Sequence, residues 1–137
     1  MRYVCVFYGE EKQIEALSSA ELEQTAAHAG AWVEELKRSG HFVFSQGLQS
    51  VSTATTLRRR DGRVSMTDGP FAETKEQLGG FTIIEARDLN EALQIASSSP
   101  CIHLGCVEVR PVFDLTAVLD HARSQEAEAV GLAAPGR

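Results

Sequence analysis

Long apolar runs are missing from this 137-residue chain. Nothing in it approaches the roughly 18–20 apolar residues of a membrane-spanning helix. The N-terminus opens directly into Tyr3–Tyr8, without the apolar core of a secretory signal. Basic excess is missing too: the net charge is −6, the wrong sign for a phosphate backbone. Neither a membrane nor nucleic acid is therefore an expected partner. Cysteine is scarce, at three residues (Cys5, Cys101, Cys106), odd in number and without a C-x-x-C pair. That pattern argues against a disulfide framework and for a reduced, cytoplasmic chain. Internal repeats and low-complexity linkers are absent, and the length suits one domain with one core. Hydrophobic residues at 43% and charged residues at 23% are ordinary for a globular domain.

What is present is a clear alternation of strand and helix patterns. "RYVCVFY" (Arg2 to Tyr8) is apolar on both faces, as expected of a central strand covered on both sides. A helix follows. Ser18 and Glu21 form a capping box, Leu22, Ala26, Ala29, Val33 and Leu36 recur at helical spacing beside Trp32, and Gly40 provides the stop. "HFVFSQGLQ" reads as an extended segment broken at Gly47. "STATTLRRR" and "RVSMT" flank Asp61-Gly62, a pair that favours a two-residue hairpin turn. In that register Arg60 opposes Arg63, Leu57 opposes Met66 and Thr55 opposes Asp68. Thr55, Leu57, Arg59, Val64, Met66 and Asp68 then share one face.

"GFTIIEA" (Gly80 to Ala86) is a second strand apolar on both faces. A helix starts at Asp88 with Leu89, Ala92, Leu93 and Ala96 as its buried stripe, and Pro100 lies past its end. "CVEVRPV" alternates and carries Pro111, the signature of an edge strand. Residues 1–113 form the domain in this reading. Residues 114–137 add a short amphipathic helix (Leu115, Val118, Leu119, Ala122) and a frayed tail, "GLAAPGR".

The order strand, helix, hairpin, strand, helix, strand predicts an α+β fold. A ferredoxin-like split β-α-β arrangement with an antiparallel sheet satisfies it. Two helices cover one face only, yet the two central strands are apolar on both. A second copy stacked sheet on sheet is the economical cover, giving a homodimer. The competing expectation is a monomer whose C-terminal helix folds back over the open face.

One stretch is over-specified for a connection. "DGPFAETKEQLGGF" (Asp68 to Phe81) puts four charged side chains on a turn that needs only one or two special residues. "MTDGPFAETKEQLGGFTIIE", with the upstream "EELKRSG" and "GLQSVSTATTLRRRDGR" and the downstream "DLNEALQIA" and "VEVRPV", resembles the DGPF-motif branch of the YCII-related family from about Arg2 to Val112. The resemblance implies a dimeric ferredoxin-like α/β barrel, which agrees with the ferredoxin-like homodimer read independently from the elements. Most members have no established activity; some distant relatives dehydrochlorinate aromatic substrates, and relatives are often encoded beside alternative sigma factors. It also implies a His–Asp pair with the histidine on the first helix. Counting back from Gly40, the matching position holds Ala29, and His28 is its neighbour about 100° around the helix.

Asp68 and His28 are thus the candidate catalytic residues. For Asp68 two readings stand side by side: an Asx turn or helix cap before Gly69-Pro70, and a carboxylate on the cavity side of the hairpin that exchanges protons. The candidate ligand contacts are Thr55 and Arg59 on the hairpin, and Gly69, Pro70, Phe71, Glu73 and Lys75 in a loop closing a pocket between sheet and first helix. Gly79-Gly80 would let backbone approach closely. "CIHLGC" offers Cys101, His103 and Cys106 to a metal, but Cys5, the further thiol, falls about 10 Å along the strand from the position beside Cys106. No metal and no cofactor is expected. Three functions remain open: a small cofactor-independent enzyme doing isomerase- or lyase-type proton transfer on a carboxylated or phenolic metabolite, a non-catalytic small-molecule-binding or partner-regulating dimer linked to sigma factors, and a structural dimer without ligand.

Overall fold

The computed structural model describes residues 1–131; the rest of the tail expected to fray lies outside the described residues. Strand β1 (Arg2–Gly9) leads through a short helix α1 (Glu11–Glu15) into α2 (Ser19–Arg38). The Ser18 capping box forms, with Ser18 Oγ accepting from Glu21 N–H and Glu21 accepting from Ser18 N–H. Gly40 closes α2 at φ +79°, where the missing Cβ removes the penalty of left-handed backbone. Strand β2 (Phe42–Gly47) follows, then β3 (Thr55–Arg60), β4 (Arg63–Asp68), β5 (Gln77–Glu85), α3 (Leu89–Ser97), β6 (Gly105–Pro111) and α4 (Leu115–Ala129).

The main sheet has the order β2-β5-β1-β6, with β5 antiparallel to β1 and β2, and β6 antiparallel to β1. This is the ferredoxin-like arrangement, with the two strands that are apolar on both faces at the centre. It is an open sheet rather than a closed barrel. The hairpin is where the expected order needs correction. The extended segment after α2 is itself the second strand of the sheet, and β3–β4 forms a separate two-stranded sheet. Its register is the expected one: Arg60 opposes Arg63, Leu57 opposes Met66 and Thr55 opposes Asp68. Asp61 and Gly62 both take positive φ, as that turn demands.

The core lies between the helices and one sheet face, where Tyr3, Cys5 and Ile84 meet Trp32, Leu36, Ala92 and Ala96. In α3 the buried stripe is Ala92 and Ala96 with half-buried Ile95, while Leu89 and Leu93 stay exposed. The helix is thus rotated from the expected stripe, letting small alanines approach the sheet closely. On the other face Val4, Val6, Phe81 and Ile83 are only half-buried, and Phe44 is exposed. Helix α4 does not cover them: it has no buried residue. Among the described residues no helix is long and apolar enough to cross a membrane.

Candidate functional site

A bulge organises one end of the sheet. Phe7 pairs with Gly80 and Tyr8 with Leu78, so Gly79 is the extra residue and the alternation of side chains is reset there. Phe7 and Tyr8 both border one cavity, of about 260 Å³. Its other walls come from Ala29, Trp32 and Val33 of α2, Ser45–Gly47 of β2, Gly79, Gly80 and Thr82 of β5, Ile14 of α1, and Cys101 and Leu104. Glycine at position 80 is required: a Cβ there would sit 2.6 Å from the Gln46 carbonyl oxygen. Gly79 accepts the backbone hydrogen bond of Leu48 at 2.9 Å. The twin glycines therefore let β2 and β5 close up beside the cavity.

The cavity is lined by aromatic and aliphatic groups with a few polar atoms. Thr82 is fully buried, and its hydroxyl shares a hydrogen bond of 2.8 Å with Ser45 Oγ. Trp32 donates its indole N–H to Ser98 Oγ at 2.9 Å, and its ring meets Phe7 edge to face at 6.1 Å. No carboxylate, imidazole, ammonium or guanidinium stands among the lining residues. Tyr8 and Cys101 are the titratable groups there. The Cys5 thiol is buried in the core, and burial pushes its pKa up to about 11, so it is a packing group at neutral pH. Cys106 pairs with Tyr8 and Cys5 with Val109, which by alternation sets Cys5 and Cys106 on opposite faces of the sheet.

The loop from Asp68 to Gln77 covers a neighbouring cavity of about 450 Å³, lined by Leu48, Val51, Thr56, Pro70, Phe71 and Leu78 among others. The loop is fastened to the hairpin. Gly69 N–H donates to the Ala54 carbonyl at 2.8 Å, Thr56 Oγ1 donates to the Gly69 carbonyl at 2.8 Å, and the Arg58 guanidinium donates to the Phe71 carbonyl. Gly69 adopts φ +106°, which only glycine takes readily. At the far end, Gln77 donates to the Thr74 carbonyl at 2.6 Å and accepts from Glu11 N–H at 2.9 Å. The Glu11 carboxylate in turn accepts from Ser50 Oγ and Val51 N–H, each at 2.9 Å.

The residues singled out from the sequence are thus dispersed. Gly69, Pro70 and Phe71 belong to the fastened turn, and Pro70 and Phe71 line the second cavity. Asp68, Thr55, Arg59, Glu73 and Lys75 are exposed, and none of them lines either cavity. Asp68 was expected on a cavity wall; it ends β4 in solvent, and among the described residues its carboxylate has no hydrogen-bond partner, so neither an Asx turn nor a cap forms. The hairpin is a separate two-stranded sheet, and none of its residues lines the α2 cavity. The loop expected to close that cavity covers the second one instead. His28 is exposed, and its neighbour Ala29 is the residue that faces the first cavity. Thr56, Arg58, Gln77 and Glu11 were not singled out; they act through backbone groups, and their contacts span up to 66 residues.

The YCII-related domain model matches residues 1–116. An uncharacterized protein of Rhizobium meliloti is 36% identical over 114 residues, covering 82% of this chain and 92% of that protein. Among solved structures, the 5-chloro-2-hydroxyhydroquinone dehydrochlorinase of Burkholderia phenoliruptrix, in complex with 2,5-dihydroxybenzoquinone, aligns at 18% identity with a TM-score of 0.49, covering 85% of this chain and 98% of that one.

Proposed function

This chain belongs to the YCII-related family, and we propose that it binds a small, neutral, single-ring molecule in the cavity between α2 and the sheet. The observation that carries the reading is the lining: aromatic and aliphatic walls, a hydroxyl pair with Tyr8, Gln46 and Cys101 as further polar residues, and no carboxylate, imidazole, ammonium or guanidinium. Cavities of about 150 Å³ admit benzene and drug-sized ligands take upward of about 300 Å³; at 260 Å³ this one suits a substituted ring. A phenolic hydroxyl finds a partner in half-buried Ser45, whose own hydroxyl is held by Thr82 behind it. A carboxylate would be desolvated with no cation to answer it, which favours the phenolic over the carboxylated class. The proton-transfer reading built on Asp68 and His28 finds neither side chain on this wall, so the binding reading is the better supported one. The protein works as a homodimer in this proposal, the second copy covering Val4, Val6, Phe44, Phe81 and Ile83 on the open sheet face.

Trp32 is the only tryptophan in the chain and lines the cavity, so its fluorescence reports occupancy. Titration with phenol or catechol should change that emission saturably, and benzoate should bind at least roughly tenfold more weakly. Ala29→Leu, which extends a side chain into the cavity, should abolish the response while the protein stays folded. Equal binding by the variant, or a preference for benzoate, would overturn the proposal.

A further inference from the structure

One wall of the α2 cavity is an element with little to hold it in place. Helix α1 is a turn of five residues with no buried side chain, and its N-cap Glu10 makes no side-chain capping bond. A helix that short does not sustain itself in water, so its position depends on what fastens it. Ile14 is its one residue on the cavity wall. That side chain packs against Gly9, where a Cβ would stand 3.3 Å from its Cδ1.

Among the described residues, the hydrogen bonds that tie residues 11–17 to other parts of the fold are all made by Glu11. Its N–H donates to Gln77 Oε1, and its two carboxylate oxygens accept from Ser50 Oγ and Val51 N–H, each bond at 2.9 Å. The other bonds of the segment are local, such as Ala16 N–H to the Lys12 carbonyl and Leu17 N–H to the Ile14 carbonyl. Ser50, Val51 and Gln77 do not line the α2 cavity; they line the neighbouring one. Helix α1 is thus fastened from outside the cavity that Ile14 borders. An ionised acceptor makes the stronger kind of hydrogen bond, and one carboxylate reaches both donors at once.

The remaining walls are built to stay. Phe7, Gly80 and Thr82 are paired in the central strands, and Ala29, Trp32 and Val33 sit within a helix of 20 residues. Cys101 follows the fully buried Ser99, whose Oγ caps its N–H. Local opening selects the segment with the fewest buried contacts and bonds to break. We infer that α1 is the gate of the α2 cavity and Glu11 its latch. Release of the carboxylate from Ser50 and Val51 frees the turn, withdraws Ile14 and admits the ligand; rebinding closes the wall behind it. A gate has a use only where a ligand enters, so this inference rests on the ring-binding proposal.

Two variants separate a latch from a merely structural bond. Glu11→Ala removes both carboxylate bonds. Glu11→Gln can keep them, its carbonyl accepting from Val51 N–H and its amide donating to Ser50 Oγ. Circular dichroism checks that both fold. Trp32, the only tryptophan, borders the cavity and is 9% exposed, so acrylamide quenching reads access without any ligand. Glu11→Ala should raise the quenching constant at least roughly threefold, and Glu11→Gln should stay near wild type. In stopped flow with phenol, Glu11→Ala should speed association and release by about tenfold each, with Kd moving less than about threefold. Quenching and rates like those of wild type in Glu11→Ala would overturn the gate, even if that variant is less stable. If phenol does not bind the wild type, the ring reading falls by itself. Quenching then decides the gate alone: a rise in Glu11→Ala supports it and no change overturns it. Should Glu11→Ala fail to fold, hydrogen exchange of the wild type decides. The Ile14, Ala16 and Leu17 amides should exchange well before that of Trp32 in α2, and equal protection would overturn the gate.

Discussion

The cavity beneath α2 and the loop from Asp68 to Gln77 lie side by side, and they are made in opposite ways. The loop is crowded with charge, yet it is held largely through backbone carbonyls: Thr56 and Arg58 donate to those of Gly69 and Phe71, Gly69 to that of Ala54, Gln77 to that of Thr74. Its charged members Glu73, Lys75 and Glu76 point into solvent. The cavity has almost no charge, and its space exists because atoms are missing: Ala29 on the helix, and Gly79 and Gly80 on the strand. Conspicuous side chains mark a surface. Inconspicuous ones leave room for a ligand.

The sharpest way to break this contrast is Gly80→Val. Even the first carbon of the new side chain would sit 2.6 Å from the Gln46 carbonyl oxygen, which is backbone and cannot swing away. We expect a loss of about 3 kcal/mol or more in urea unfolding. A loss under about 1 kcal/mol would mean that β2 and β5 part without penalty and that the glycine is not setting the cavity. Thr56→Val tests the loop instead. It removes the hydroxyl that donates to Gly69, which should cost about 1 kcal/mol and speed proteolysis near Phe71. Ring binding at the α2 cavity should be unaffected; a tenfold loss of affinity would show that loop and cavity are one site. Asp68→Asn should do least. The carboxylate is exposed and has no partner among the described residues, so stability should stay within about 0.5 kcal/mol of wild type, with ligand affinity unchanged. A large loss of binding or turnover in that variant would return Asp68 to the site.

Much of the architecture could be read from residue order. Two-sided apolar strands at Arg2–Tyr8 and Gly80–Ala86, the Ser18 capping box, the Asp61-Gly62 turn and the Pro111 edge strand each depend on neighbours a few residues away. Local sterics and hydrogen bonding decide such features wherever they occur. The short helix α1 was missed because its five residues carry too little periodicity to register. The stripe of α3 was misjudged because Leu89 and Leu93 have the stronger apolar character, whereas close packing favours the alanines.

The candidate site was less legible. Asp68 drew attention as a charge in a distinctive turn, but its exposure follows from where the hairpin leaves the sheet, which no local pattern specifies. Arg58 and Arg59 are equivalent in composition and adjacent in sequence. Alternation puts them on opposite faces, and only the returning loop decides that Arg58 is the one with a carbonyl to bind. Ala29 gave no chemical signal; its importance comes from facing Phe7 and Thr82 across the cavity. The sequence by itself determined most of the elements, the hairpin register and the central place of the two strands apolar on both faces, because those obey short-range rules. The tertiary structure decided where the cavity opens, because a cavity is a relation among residues from six separate segments, and neither the small side chains nor the Gly79 bulge that create it announce themselves along the chain.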